Sequence, residues 1–277
     1  MGIPYAEVIG DPVAHSKSPL IHKFWLGKLA LKGDFRALQL APGGLSAYLA
    51  SRCSDPFWRG CSVTAPLKER AAGAVSDPTG VCRRIGAANA IFRSPLGCGI
   101  GANTDLHGIA AALARSDSPA ERVCVVGSGG AARAVLEFLR LRGTRHVSLV
   151  ARDLDKGRVL HRRFAARGDV YPFEQASAAM AGAEWVINAT PLGMDGSEAM
   201  PASLIDALAA TDEAALVLDM VYAPRETALL RRASELGRRT VDGLTMLIEQ
   251  AAPAFELLFG AAAPRQHDGE LRRALEP

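Results

Sequence analysis

The run Val123-Cys-Val-Val-Gly127-Ser-Gly129-Gly130-Ala131-Ala132-Arg133 changes character twice. Its apolar opening reads as a buried strand, its glycines force a turn, and the small residues beyond them begin a helix. It fits Gly-x-Gly-x-x-Ala through Gly127, Gly129 and Ala132. Gly127 permits the tight turn, Gly129 lets backbone approach a pyrophosphate, and Ala132 lets the helix pack close to the strand. The helix N-terminus then offers N–H groups and a partial positive charge to phosphates. With a strand before it and a helix after it, the motif predicts a dinucleotide-binding unit; alone, it would be a glycine-rich turn with no ligand.

The next strand pattern, His146–Val150, ends in Ala151-Arg152-Asp153. A domain that prefers NAD usually places an acid at this strand end to hold the ribose 2′-hydroxyl. The guanidinium of Arg152 suits the 2′-phosphate of NADP instead. Lys156 and Arg158 add positive charge nearby, whereas Asp153 works against it, by repelling a phosphate or taking the ribose. The residues thus favour NADP and leave NAD as the alternative.

The same alternation extends through the chain. Strand patterns fall at Ala6–Gly10, Phe35–Leu40, Gly60–Val63, Ala88–Arg93, Arg122–Val126, His146–Val150, Trp185–Asn188, Ala215–Met220 and Arg239–Val241. Helical patterns fall at Pro19–Leu31, Leu106–Arg115, Ala131–Arg142, Lys156–Arg167, Thr227–Leu236 and Leu244–Phe259. Strands alternating with amphipathic helices predict an α/β fold with parallel sheets. A loop is expected at Ser116–Glu121, with a domain boundary slightly earlier, near Asn103–Asp105.

Composition bounds the rest. At 277 residues the chain is long enough for two domains. The 32 Lys+Arg against 29 Asp+Glu leave a net charge of +3, which is no nucleic-acid footprint. No apolar run is long enough to span a membrane, and no secretory signal opens the chain. Five Cys without a CxxC pair predict free thiols in a reducing cytoplasm. Six His, none at zinc spacing, predict no metal site.

The N-terminal third carries different chemistry. In His15-Ser16-Lys17-Ser18-Pro19, Ser18 reads as a helix N-cap before Pro19. Capping leaves Ser16 unused, and paired hydroxyls at a helix start also suit a carboxylate. Thr64-Ala65-Pro66-Leu67-Lys68 repeats the pattern: a strand, a Thr cap, Pro near the helix start, then Lys. A lysine in the first turn opposes the helix dipole, and burial would further lower its pKa. Lys is scarce here, at positions 17, 23, 28, 32, 68 and 156 only. Lys68 is therefore a candidate proton donor and acceptor, against the plainer reading of a surface lysine. Asp105 stands at the start of a helix, where a capping role is the default. Asn89 follows a small-residue stretch that would suit the rim of a cleft.

Taken together, these pieces resemble the shikimate dehydrogenases over essentially the whole chain. The resemblance rests on collinear segments: Gly10-Asp-Pro-Val-Ala-His-Ser-Lys-Ser-Pro19, Ser62-Val-Thr-Ala-Pro-Leu-Lys68, Ile85-Gly-Ala-Ala-Asn89, Asn103-Thr-Asp105 and Val126-Gly-Ser-Gly-Gly-Ala131. Ile187-Asn-Ala-Thr-Pro-Leu-Gly-Met194, Asp219-Met-Val-Tyr222 and Asp242-Gly-Leu-Thr-Met-Leu-Ile-Glu-Gln250 follow in order. It implies Lys68 and Asp105 as the catalytic pair, with Ser16, Ser18 and Thr64 around the substrate carboxylate. Asn89 and Gln250 would bond ring hydroxyls. Gly127, Ser128, Gly129, Gly130 and Ala131 would form the pyrophosphate loop, with Arg152 at the 2′-phosphate and Lys156 adding charge. Thr190, Met220, Tyr222 and Gly243 would surround the nicotinamide and the cleft.

The implied architecture is a substrate domain of residues 1–104 plus 243–277, with an inserted Rossmann-like domain of residues 105–242. The implied reaction is NADP-dependent interconversion of 3-dehydroshikimate and shikimate in aromatic amino acid biosynthesis, by a cytoplasmic monomer or homodimer with a small carboxylate substrate. The chain departs from the family pattern in five places. Ser62 replaces Asn, Ala90 replaces Thr, Leu106 replaces Gly or Trp, Gly80 replaces an acid, and Ala151-Arg152-Asp153 replaces Asn-Arg-Thr. These motivate two alternatives: a quinate/shikimate or related cyclitol-acid dehydrogenase using NAD, and a non-catalytic ligand sensor.

Overall fold

In the computed structural model, residues 2–95, 97–114, 120–164 and 167–275 are described. Most of the expected Ser116–Glu121 loop, Arg115 and positions 165–166 of the expected Lys156–Arg167 helix lie outside them. The chain forms two compact units, Met1–His107 with Ile248–Pro277, and Gly108–Leu247.

The first unit runs β1 (Tyr5–Gly10), α1 (Ser18–Lys28), β2 (Asp34–Gln39), α2 (Leu45–Cys53), β3 (Trp58–Val63), α3 (Lys68–Ala74), α4 (Val81–Ile85), β4 (Ala90–Ser94) and β5 (Gly97–Ala102), after which α5 (Asp105–Leu113) begins. The strand order is β2-β1-β3-β4-β5. Strands β2, β1 and β3 are parallel, but β4 runs antiparallel to β3 and β5 antiparallel to β4. The expected parallel sheet thus carries an antiparallel hairpin at one edge. Only a few residues join Ser94 to Gly97, and so short a connection can close a hairpin but not a parallel crossover.

Every residue of β1 is buried, including the acid Glu7. Its carboxylate accepts from Tyr48 Oη at 2.7 Å and from Arg52 Nε and Nη2 at 2.8 and 3.0 Å. A charge buried in a central strand is tolerated only when paired in this way. Cys53, ending α2, and Cys98, in β5, form a disulfide with their Cα atoms 5.7 Å apart. This corrects the expectation of five free thiols. The two cysteines lie 45 residues apart in sequence, and only the packing of α2 against β5 brings them within bridging distance. Cys61, Cys82 and Cys124 are buried thiols.

The second unit contains β6 (Arg122–Val126), α6 (Gly130–Arg142), β7 (His146–Val150), α7 (Leu154–Arg163), β8 (Val170–Tyr171), α8 (Ala176–Met180), β9 (Trp185–Asn188), α9 (Ala202–Asp206), β10 (Leu216–Asp219), α10 (Ala228–Glu235) and β11 (Arg239–Val241). The sheet order is β11-β10-β9-β6-β7-β8, and every pairing is parallel. Counted from β6, this is the doubly wound order 3-2-1-4-5-6, whose direction reverses between β6 and β9. The inner strands β6, β7, β9 and β10 are largely apolar runs buried on both faces, as a sheet covered on both sides by helices requires.

The chain then enters α11 (Gly243–Phe259) and ends in α12 (Asp268–Leu275). Within the first unit, Phe255 of α11 packs edge-on to Trp25 at 5.5 Å and lies 5.7 Å from His22. Leu271 and Leu275 of α12 are buried. No helix among the described residues is long and apolar enough to cross a membrane.

Candidate active site

One edge of the first sheet collects the reactive side chains, and topology explains why. The parallel strands β1 and β3 end at the same edge, so the segments carrying Ser16 and Lys68 both leave from it. Gly10 and Thr64 meet there closely: a Cβ on Gly10 would lie 2.4 Å from Thr64 Cγ2 and 2.9 Å from the Ala65 carbonyl. Antiparallel β4 starts at this edge and β5 finishes at it. Asn89 therefore enters as β4 begins, donating its N–H to Ala102 O at 3.1 Å, and Asp105 follows the end of β5.

Lys68 Nζ donates to Asp105 Oδ2 at 2.6 Å. Asp105 is 2% exposed, while the Lys68 side chain keeps 17% exposure. The other Asp105 oxygen accepts from Asn89 Nδ2 at 2.9 Å. Asn89 Nδ2 also lies 2.9 Å from Thr104 Oγ1 and 3.2 Å from Gln250 Oε1, and its Oδ1 accepts from the Thr104 N–H at 2.7 Å. Asp105 is the first residue of α5. Lys68 opens α3. The result is a partly exposed ammonium held in place by a carboxylate that is itself braced from behind. Such a group can hand a proton to a substrate oxygen and take it back.

The surrounding hydroxyls correct two capping expectations. Ser18 supplies no side-chain cap to α1; Ser16 Oγ accepts the Ser18 N–H instead, at 3.3 Å. Thr64 makes a turn, its carbonyl accepting from Leu67 N–H at 2.9 Å, and Leu67 stands at the N-cap of α3. Asn89, expected at a cleft rim, is buried at 4% exposure among Thr104, Asp105 and Gln250. Thr104 is the member of this cluster that sequence reasoning missed. Its signal was its place between Asn103 and Asp105.

In the second unit, loops following β6, β7 and β9 line a cavity of ≈ 540 Å³. Gly127, Ser128, Arg152 and Thr190 are among its walls, with Asp153 and Glu198. Ligands of doubly wound sheets bind where the strand order reverses, and β6 and β9 flank that point. Gly127 adopts φ +115°, and a Cβ there would lie 2.8 Å from Thr190 Cγ2. Gly129 has open space where its Cβ would be, and no side chain caps α6, of which Gly130 and Ala131 are the first residues. The first N–H groups of a helix lack intrahelical acceptors, so this loop and helix start suit a pyrophosphate.

Thr190 is braced from below. Its N–H and Oγ1 donate to Asn188 Oδ1 at 3.0 and 2.6 Å, and Asn188 Nδ2 donates to Asp219 Oδ1 at 2.8 Å. Asp219 also accepts from Val221 N–H at 3.0 Å and Thr227 Oγ1 at 2.6 Å. Burial holds its carboxyl above the usual carboxylate range, against the pull of these hydrogen bonds. Asp153 caps α7 by accepting the Lys156 N–H at 2.9 Å, so its carboxylate is engaged locally. Lys156 is exposed on α7. Met220 and Tyr222 follow β10 and Gly243 follows β11, all three outside the cavity lining. Gly243 is pressed against backbone: its Cβ would meet Val221 O at 2.3 Å and Met220 O at 2.5 Å.

Comparison with known proteins supplies the relatives of this arrangement. The family model for the shikimate dehydrogenase substrate binding domain matches residues 8–91, and that for the shikimate 5′-dehydrogenase C-terminal domain matches residues 243–267. A shikimate dehydrogenase (NADP(+)) of Sphingopyxis alaskensis is 46% identical over 272 residues, 98% of this chain and 97% of the relative. Its counterpart in Brucella abortus is 41% identical over 258 residues, 92% of this chain and 88% of the relative. Among solved structures, the shikimate 5-dehydrogenase of Thermus thermophilus in complex with NADP(H) and shikimate aligns with TM-score 0.83 and 31% identity. The alignment covers 99% of this chain and 100% of that one.

Proposed function

The chain belongs to the shikimate dehydrogenase family, and from this we propose that it catalyses the NADP-dependent, reversible reduction of 3-dehydroshikimate to shikimate. The observation that carries the reading is the Lys68–Asp105 pair at 2.6 Å, braced by Asn89. NADPH, when bound, supplies the hydride that adds to the ring ketone carbon. The carbonyl oxygen gains negative charge as that happens and needs a proton. Lys68 Nζ donates it, and in the oxidative direction takes it from the hydroxyl. Asp105 Oδ2 orients the ammonium. Ser16, Ser18 and Thr64 hold the substrate carboxylate, while Asn89 and Gln250 present polar groups to the ring hydroxyls.

The cofactor residues fit a dinucleotide with a 2′-phosphate. Gly127 to Ala131 form the pyrophosphate loop at the start of α6, and Thr190, Met220, Tyr222 and Gly243 belong to its nicotinamide side. Arg152 lines the same cavity as the loop, as does Asp153, whose Oδ1 accepts the Lys156 N–H at the start of α7. Lys156 adds positive charge to that end of α7.

Initial rates with shikimate and quinate, each with NADP and NAD, test the assignment. Shikimate with NADP is expected to give the highest kcat/KM, and Lys68→Ala to lower kcat by about 10²–10⁴-fold. Preference for quinate with NAD, or near-normal turnover by Lys68→Ala, would overturn it.

A further inference from the structure

Arg152 has a partner in the cavity wall. Its Nη1 lies 3.5 Å from Glu198 Oε1, and its Nη2 donates to Glu198 Oε2. The two side chains are about equally open to solvent, at 66% and 69% exposure. Sequence reading gives Glu198 no role, yet its backbone is firmly placed. Gly193 N–H donates to Glu198 O at 2.8 Å, Ser197 N–H to Met194 O at 2.9 Å, and Asp195 N–H to Ala223 O at 2.8 Å. Gly193 and Gly196 take the positive φ values, 84° and 75°, that this tight loop needs. The loop thus delivers a carboxylate to the guanidinium that lines this cavity.

We propose that Glu198 is a specificity-determining residue, a built-in competitor that occupies the Arg152 fork until a 2′-phosphate displaces it. The inference rests on the assignment of this cavity to NADP. A guanidinium fork binds a carboxylate or a phosphate in the same two-pronged geometry. A 2′-phosphate arriving at Arg152 must therefore break the pair and bring its own negative charge beside a carboxylate. The 2′-hydroxyl of NAD carries no charge and can donate to Glu198 while the pair stays intact. Glu198 accordingly weakens NADP binding selectively and narrows the gap between the two cofactors. Asp153 lines the same cavity and caps α7 through Oδ1, but the ion pair of Arg152 is with Glu198.

Calorimetric titration of the full-length protein and of Glu198→Gln tests this, with NADP, NAD, adenosine 2′,5′-bisphosphate and AMP as probes. The variant is expected to bind NADP and the bisphosphate about tenfold more tightly at low ionic strength, with the gain shrinking as salt rises. NAD and AMP should bind with affinity unchanged or reduced. Unchanged NADP affinity in Glu198→Gln, or equal tightening of NADP and NAD, would overturn the proposal while leaving the cofactor assignment intact. Failure of the parent protein to bind NADP at all would overturn both.

Discussion

His22 sits on α1 with its ring stacked on Phe35, centroids 4.0 Å apart and planes within 8°. Its Nδ1 is buried without a hydrogen-bond partner among the described residues, and burial pushes its pKa down to about 3. An unfolded histidine takes its proton near 6.5. Between those values the unfolded chain binds more protons than the folded one, so stability falls as pH falls. The stability associated with neutral His22 is complete above 6.5 and declines by up to about 1.4 kcal/mol per pH unit below it. His22→Phe should remove that slope. Urea unfolding at pH 7 and pH 5 is expected to show the variant gaining about 2 kcal/mol on the parent at the lower pH; parallel pH profiles would refute it. Single residues differed in how legible they were. Lys68 stood out because lysine is rare here and occupies an unfavourable helix end. Arg152 stood out at a strand end where the chemistry of the ribose is known. Asn89, Thr104 and Gln250 meet only through folding, and nothing local distinguishes a buried amide from a solvated one. Glu198 lies in a loop whose composition says turn and nothing more.

The turn between β6 and α6 holds two glycines with different duties. Gly127 has both a positive φ and a neighbour at 2.8 Å from its would-be Cβ, whereas a methyl on Gly129 meets nothing within 4 Å among the described residues. Gly127→Ala should cost about 1–3 kcal/mol of stability and weaken NADP binding with it. Gly129→Ala should leave the thermal midpoint near that of the parent and still weaken NADP binding, because the methyl occupies the path of the pyrophosphate. Thermal denaturation with calorimetry separates the two, and equal midpoints for both variants would contradict this division. Elements were legible where packing made them uniform. Strands β6, β7, β9 and β10 are largely apolar runs, and the longer helices α6, α7 and α10 carry amphipathic faces. Strand β5 escaped because Gly97-Cys-Gly-Ile-Gly-Ala102 has three glycines and a single large apolar residue, little intrinsic preference for a strand. It forms because β4 pairs with it and because Gly101 lets Val75 approach, where a Cβ would lie 2.4 Å from Val75 Cγ2. Missing β5 also hid the hairpin, the antiparallel edge, and the route by which Asp105 reaches Lys68. The short helices α2, α3, α4, α8 and α9 are too brief for periodicity to announce them.

The first unit is assembled from both ends of the chain, and apolar burial by α12 does much of the joining. Leu271 is fully buried, while Lys28 and Glu270 form an exposed pair at 2.5 Å across the same contact. Leu271→Ala should lower the unfolding free energy by about 2–5 kcal/mol, and Glu270→Gln by a small fraction of that. Equilibrium denaturation of the two variants decides this, and comparable losses would show that the ion pair matters as much as the core.

Synthesis runs in the opposite sense to this assembly. A growing chain leaves the ribosome with the strands of the first sheet already made, yet Phe255, which covers Trp25 and His22, emerges only near the end. Residues 108–247 can close their own sheet first. The first sheet is therefore made before residues 108–247 yet covered after them, and its aromatic surface stays open while they are synthesised.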